Sequence, residues 1–146
     1  MKINDVKIIE LATHGDERGF FREIFRFSEN FKNLIVEQLS HSLVNEGVIK
    51  AWHGHKYQSQ WNYVISGETK VCLYDNRKES NTYKKNMEFV VGIKSNPIAY
   101  FFPPGVFHGY KCLSGPMNII YATSGVYDLN DEIRKTSEEL NINYNW

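Results

Sequence analysis

Residues 47–67 read Gly47-Val48-Ile49-Lys50-Ala51-Trp52-His53-Gly54-His55-Lys56-Tyr57-Gln58-Ser59-Gln60-Trp61-Asn62-Tyr63-Val64-Ile65-Ser66-Gly67, and residues 103–108 read Pro103-Pro104-Gly105-Val106-Phe107-His108. In the first stretch an apolar run leads into two histidines at i and i+2, which a strand presents on one face. After a short polar loop, Gln60 begins a second run that can return its side chain to that face. In the second stretch Pro104-Gly105 makes a tight turn that aims His108 from a distant strand. Three imidazoles converging inside a small barrel form a pocket suited to proton transfer or to metal binding.

Around these stretches the chain reads as short β segments: 6–11, 20–27, 36–43, 48–53, 61–66, 69–74, 87–91, 99–102, 109–113 and 118–123. Turn chemistry separates them, as in Asn45-Glu46-Gly47, Ser66-Gly67-Glu68, Asp75-Asn76-Arg77 and Ser114-Gly115-Pro116. Such regular spacing predicts an all-β sandwich or barrel, with residues 1–146 as one domain. Ser28 reads as the N-cap of a short helix carrying Phe31, Leu34 and Ile35. Over residues 128–140, Leu129, Ile133 and Leu140 sit at helical spacing, which predicts a short C-terminal helical segment. The tail from Ile142 to Trp146 alternates again.

Composition excludes several classes. The 146 residues carry 17 Lys+Arg against 17 Asp+Glu, so no basic footprint for nucleic acid is expected. A chain of this length buries roughly 70% of the surface it exposes when unfolded, enough for a real core. No apolar run approaches the length of a membrane span. The start, Met1-Lys2-Ile3-Asn4-Asp5, leads into no apolar signal region, so no secretion signal is expected. Cys72 and Cys112 lie far apart, with no CxxC, and imply neither a disulfide framework nor a zinc knuckle. A reduced, cytoplasmic location is expected.

The two quoted stretches resemble the paired motifs of the cupins, and every fixed position agrees but one: the acidic ligand is Gln60 here. The resemblance implies a small jelly-roll barrel. A metal would use His53, His55, Gln60 and His108, yet an amide in place of the carboxylate leaves a divalent ion without compensating charge. No metal and no cofactor are therefore expected, and the imidazoles read as general bases. A single strand histidine is ordinarily a packed or surface residue, and His14 and His41 read that way. Burying three together without partners costs too much for that account to serve His53, His55 and His108.

From Gly15 onward the chain also resembles the nucleotide-sugar 3,5-epimerase family, that of dTDP-4-dehydrorhamnose 3,5-epimerase. The resemblance rests on Gly15-Asp16-Glu17-Arg18-Gly19-Phe20-Phe21-Arg22-Glu23, Glu37-Gln38-Leu39-Ser40-His41-Ser42, the run through His53, Asp75-Asn76-Arg77-Lys78-Glu79-Ser80-Asn81-Thr82, and Phe102 to Tyr110. It implies His53 as general base and Tyr121 as the acid that returns a proton on the opposite face. It further implies Arg18 and Lys50 on the diphosphate, Phe21 and Gln38 on the nucleobase, Gln60 and Tyr127 at the sugar, and a nucleotide-diphosphate deoxysugar as substrate. His55 and His108 would orient or assist. An N-terminal strand that crosses to a partner implies a homodimer. Without the resemblance, Arg18 and Lys50 are ordinary surface charges, the strand pattern leaves Tyr121 open between core and catalyst, and one of Phe20 and Phe21 packs inside.

The chain departs from that pattern in places. Gln60 stands where the family has a Lys near the sugar O4. Ser137 stands where the Asp that pairs with the base is expected, leaving Glu138 or Asp131 as substitutes. Ser40 replaces an Asn near the nucleobase. The run His53-Gly54-His55-Lys56 with Gln60 beyond it resembles the nucleotide-sugar 3,4-ketoisomerases, in which both histidines move protons. Epimerisation, keto transposition, a metal cupin enzyme such as a dioxygenase, and a non-catalytic sugar-binding cupin are thus the alternatives, with the epimerase leading.

Overall fold

The computed structural model of the chain describes residues 2–31, 33–93 and 96–146. Its strands are β1 (Lys7–Glu10), β2 (His14–Asp16), β3 (Gly19–Phe21), β4 (Gln38–Val44), β5 (Ile49–His55), β6 (Gln60–Asp75), β7 (Asn86–Gly92), β8 (Ile98–Phe102), β9 (Val106–Thr123) and β10 (Glu132–Arg134). One-turn helices α1 (Phe27–Asn30) and α2 (Ser137–Leu140) complete it.

β6 and β9 pair antiparallel from Gln60↔Thr123 to Asp75↔Val106. Early in β6, the outer edge takes β8, which in turn takes β1; late in β6 it takes β7. β9 likewise takes β5 on its first half and β4 on its second. The hydrogen-bonded network thereby folds into two facing layers, β1-β8-β6-β9-β4 and β7-β6-β9-β5-β10, a jelly roll. The separate strands expected on either side of Ser66-Gly67-Glu68 are one strand. Gly67, at φ +81°, bends it with register shifts between Val64 and Thr69, and a Cβ there would lie 2.6 Å from Ser114 O.

Alternation decides what fills each space. Val64, Tyr100, Phe102 and Ile119 of one layer meet Val71, Leu73, Val91 and Val106 of the other to form the inner core. Trp61, Phe101 and Ala122 point outward under Phe31, Phe25 and Phe27. Trp52, Cys72 and Phe107 point out of the second layer, and Leu140, Ile142, Tyr144 and Trp146 cover them. The alternating tail is therefore a cover strip rather than a strand. The helix expected over 128–140 is reduced to α2, because Glu132–Arg134 satisfies its backbone on the edge of β5. Ser28 lies inside α1, whose N-cap is Arg26. Beyond Phe21, the strand expected to reach residue 27 does not form. Phe20 and Phe21 are both exposed, at 53% and 63%, because the β2–β3 ribbon pairs only with itself. No helix among the described residues is long and apolar enough to cross a membrane.

The Asp75-to-Thr82 segment is a buried ion-pair knot. Asp75 is fully buried and accepts from Arg77, Ser80 Oγ at 2.7 Å and Thr82 Oγ1 at 2.7 Å. Burial disfavours the carboxylate, but these donors outweigh it and hold its pKa well below the ordinary range. Arg77 continues to Asp5 at 2.8 Å and to the Asn4 carbonyl at 2.7 Å, tying down the N-terminus. A carboxyl with a depressed folded-state pKa contributes stability above its unfolded pKa and loses it as pH falls toward the folded one. Asp75→Asn is expected to destabilise by about 2–4 kcal/mol at neutral pH in urea unfolding. That gap should close as pH is lowered below about 4, where the unfolded carboxyl is protonated.

Candidate active site

The cavity between the layers has a volume of about 280 Å³. β5 brings three side chains to it through a bulge. Lys50 opposes Tyr110 and His53 opposes His108, so β5 carries one more residue than β9 over this interval. Lys50 and His53, which a regular strand would put on opposite faces, both line the cavity with His55. Gly54 faces outward between the histidines, where a Cβ would sit 2.9 Å from the Phe107 ring.

His108 and Tyr121 reach the cavity from the two halves of β9. His108 belongs to the layer of His53, opposite it in register. Tyr121 belongs to the other layer, between Ser40 of β4 and Asn62 of β6. The imidazole and the phenol therefore line one cavity from opposing walls. The Tyr121 hydroxyl is 3.4 Å from Ser42 Oγ. Gln60 and Asn62 are buried in the lining, with Gln60 Nε2 donating to Asn62 Oδ1 at 2.6 Å. Asn62 Nδ2 and His108 Nδ1 are buried without a hydrogen-bond partner. Gln38 accepts from the Tyr127 backbone N–H at 2.8 Å, and both residues line the cavity.

Two carboxylates come from β10 and the residue before it. Asp131, 3% exposed, takes His55 Nδ1 at 3.0 Å and the N–H groups of Lys56 and Tyr57. Because a carboxylate accepts, the Nδ1 of His55 is the donor in this contact. Glu132 Oε1 lies 3.8 Å from His53 Nδ1. The carboxylate beside His53 is thus neither of those expected: Asp131 serves His55, and Glu138 is exposed on α2. Ser137 instead accepts from Trp52 Nε1 at 3.0 Å. Glu132 and Arg134 are cavity residues that the sequence reading missed. The signal was the i, i+2 alternation of Glu132-Ile133-Arg134, masked by apolar residues at helical spacing.

Desolvation lowers the pKa of His53, with Glu132 opposing and Arg134, His55 and Lys50 adding to the depression. Burial, with His55 and His53 nearby, takes His108 well below the ordinary value. Burial also pushes the Tyr110 phenol up to about 12. The His55 and His108 rings are stacked with centroids 6.1 Å apart, and His53 and His108 are 6.0 Å apart. No group of three His, Cys, Asp or Glu among the described residues is arranged to hold a metal. Arg18 and Phe21 are not in the lining. They sit on the β2–β3 ribbon, with Arg18 paired to Asp16. His41 faces outward on β4 and bonds Asn118 at 2.8 Å.

A jelly roll holding paired imidazoles against a phenol, with carboxylates behind the imidazoles, is the scaffold of a cupin-type acid–base enzyme. A sequence model of dTDP-4-dehydrorhamnose 3,5-epimerase matches residues 1–146. The spore coat polysaccharide biosynthesis protein SpsL of Bacillus subtilis is 38% identical over 99% of this chain and 96% of its own length. A dTDP-4-dehydrorhamnose 3,5-epimerase of Shigella flexneri is 32% identical over 99% of this chain and 83% of its own. The crystal structure of a Legionella pneumophila dTDP-6-deoxy-D-glucose-3,5-epimerase with dTDP-4-keto-L-rhamnose superposes with a TM-score of 0.86 at 26% identity, covering 99% of this chain and 80% of that one. The chain belongs to the dTDP-4-dehydrorhamnose 3,5-epimerase family and is a sugar epimerase, an isomerase.

A base with a depressed pKa stays deprotonated to lower pH. With His53 serving as the base, the acid limb of kcat/KM, which reports the free enzyme, should therefore lie below about 6.5. Glu132→Gln removes an influence that raises the His53 pKa, so a pH–rate profile of that variant should show the limb moved lower still.

Proposed function

We propose that the protein epimerises a nucleotide-diphospho-4-keto-6-deoxyhexose at C3, or at C3 and C5, with His53 as base and Tyr121 as acid. The observation that carries this reading is the placement of His53 and Tyr121 on opposing walls of one cavity. The C4 ketone acidifies the C3 proton. His53 removes it, and the electron pair moves onto O4 as an enolate. Tyr121 delivers a proton to the other face, the ketone re-forms, and solvent restores both groups. Glu132 orients His53 and supports its protonated form. His108, Tyr127 and the Gln60–Asn62 amides face the sugar, Lys50 meets the diphosphate, and Gln38 meets the nucleobase side. The buried, unpaired cysteines fit a reduced cytoplasm.

A specific contact favours one second reading, the 3,4-ketoisomerase: His55, backed by Asp131, is equipped as a further base. Incubation of dTDP-4-keto-6-deoxyglucose in deuterated water separates the two. Epimerisation labels C3, or C3 and C5, and leaves the ketone at C4, whereas isomerisation moves it to C3. His53→Asn is expected to slow exchange by about 10²–10⁴-fold with the fold intact; undiminished exchange would remove His53 as the base.

The working form is a homodimer in which Arg18 and Phe21 of each copy complete the other's cavity. What supports it is their position on a self-paired ribbon away from their own cavity, while β1 pairs with β8 of its own chain. The ribbon, rather than β1, is the element free to cross. Phe21, Leu39, Tyr63 and Ile120 line an apolar groove on the outer face of the first layer, a surface that supports a second copy there. Arg18→Ala and His53→Asn should each be weak alone. Unfolded and refolded together at equal amounts, they should regain about a quarter of wild-type activity, because mixed dimers hold one intact site of two.

A further inference from the structure

Glu132 Oε1 has two claimants. Arg134 Nε donates to it at 3.1 Å, while His53 Nδ1 waits 3.8 Å from the same oxygen, beyond hydrogen-bond reach. All three side chains line the cavity, and β10 sets Arg134 opposite His53 in register. Their exposures differ: the Glu132 side chain is 13% exposed and that of Arg134 72%. An ion pair with so exposed a guanidinium is weak. A diphosphate offers the same guanidinium two parallel charge-assisted hydrogen bonds. Lys50, exposed and on the same lining, adds a second cation for such an anion. A diphosphate entering the cavity mouth would therefore win Arg134 from the carboxylate, and Glu132 would be left with His53 Nδ1–H as its nearest donor.

We propose that Arg134 is a ligand-responsive positioning residue: it occupies Glu132 in the empty site and releases it to His53 when the ligand's diphosphate takes the guanidinium. The inference rests on the epimerase reading for the identity of the ligand, a nucleoside-diphosphate sugar. Its consequence is that the base acquires its orienting carboxylate only once substrate is seated. Binding energy from the non-reacting diphosphate is thereby used at the reacting carbon.

The test pairs calorimetric binding of dTDP, which carries the diphosphate without the sugar, with C3 exchange kinetics on dTDP-4-keto-6-deoxyglucose. Arg134→Gln should weaken dTDP binding and raise KM, each about tenfold, while lowering kcat far less than Glu132→Gln does. Glu132→Gln should lower kcat about 10²-fold and leave dTDP affinity within about twofold. Arg134→Lys should recover part of the lost affinity, since it restores the charge without the fork. If Arg134→Gln loses kcat as fully as Glu132→Gln and binds dTDP like wild type, Arg134 is only a brace for the carboxylate and the proposal is overturned. Absence of exchange in the wild-type protein would count against the reaction instead. The dTDP arm then decides alone, and unchanged affinity in Arg134→Gln overturns the diphosphate contact.

Discussion

The long ladder between β6 and β9 is the constraint from which the remaining architecture follows. Each strand crosses from one layer to the other, so neither layer can form without both. The bends at Gly67 and around Gly115-Pro116 set where the crossing occurs. Because β9 lies in both layers, one strand carries His108 on one wall and Tyr121 on the other. The distance across the cavity is thus governed by packing between layers rather than by a loop. Val64, Val71, Phe102 and Ile119 hold that spacing from the inner core. An acid and a base on opposite faces of a sugar ring need such rigid placement, since misplacement by about an ångström is costly in rate.

The fold was legible because both of its signals are local. Period-2 alternation marks the strands, and the His-Gly-His and Pro-Gly-x-x-His spacings mark the turns that aim them. His53, His55, His108 and Gln60 came with those strands, Tyr121 came from the resemblance, and all five line the cavity. What was not legible depends on tertiary pairing. Glu132 and Arg134 become site residues only because a three-residue strand finds the open edge of β5. Their short alternation was too brief to outweigh the helical spacing of Leu129, Ile133 and Leu140. Lys50 faces inward only through a bulge that no pattern in the sequence announces. Arg18 and Phe21, named from resemblance, lie outside the cavity of their own chain.

The segment Asp75 to Thr82 shows how a family-specific string can be mostly structural. Its polar atoms turn inward on a carboxylate that no solvent reaches. Arg77 then spans Asp75, Asp5 and Asn4, and its alkyl chain fills the space over Gly105, where a Cβ would come within 2.6 Å. That contact joins the knot to the turn that aims His108. The Gly105 N–H donates to the His55 carbonyl at 2.8 Å, and Asn76 N–H donates to Gly105 O at 3.1 Å. The most recognisable residues outside the cavity thereby brace two of its three imidazoles. Gly54 works likewise, since the space its missing side chain leaves is taken by Phe107.

Charge in the cavity is graded, and the grading orients the ligand. Gln60 and Asn62 are neutral and buried, and the imidazole of His108 is kept uncharged by its surroundings. Lys50 and Arg134 are exposed on the same lining. On the proposed reading, an anionic diphosphate would be favoured among the exposed cations, which would seat a nucleotide sugar with its sugar toward the buried end. The price of replacing an ammonium with amides is weaker stabilisation of an enolate oxygen, since a neutral donor forms the weaker hydrogen bond. Asn62 Nδ2 lacks a partner, and that unmet donor is suited to the C4 oxygen as negative charge develops there. The depressed pKa of His53 is set by burial, with Arg134, His55 and Lys50 adding to it and Glu132 opposing.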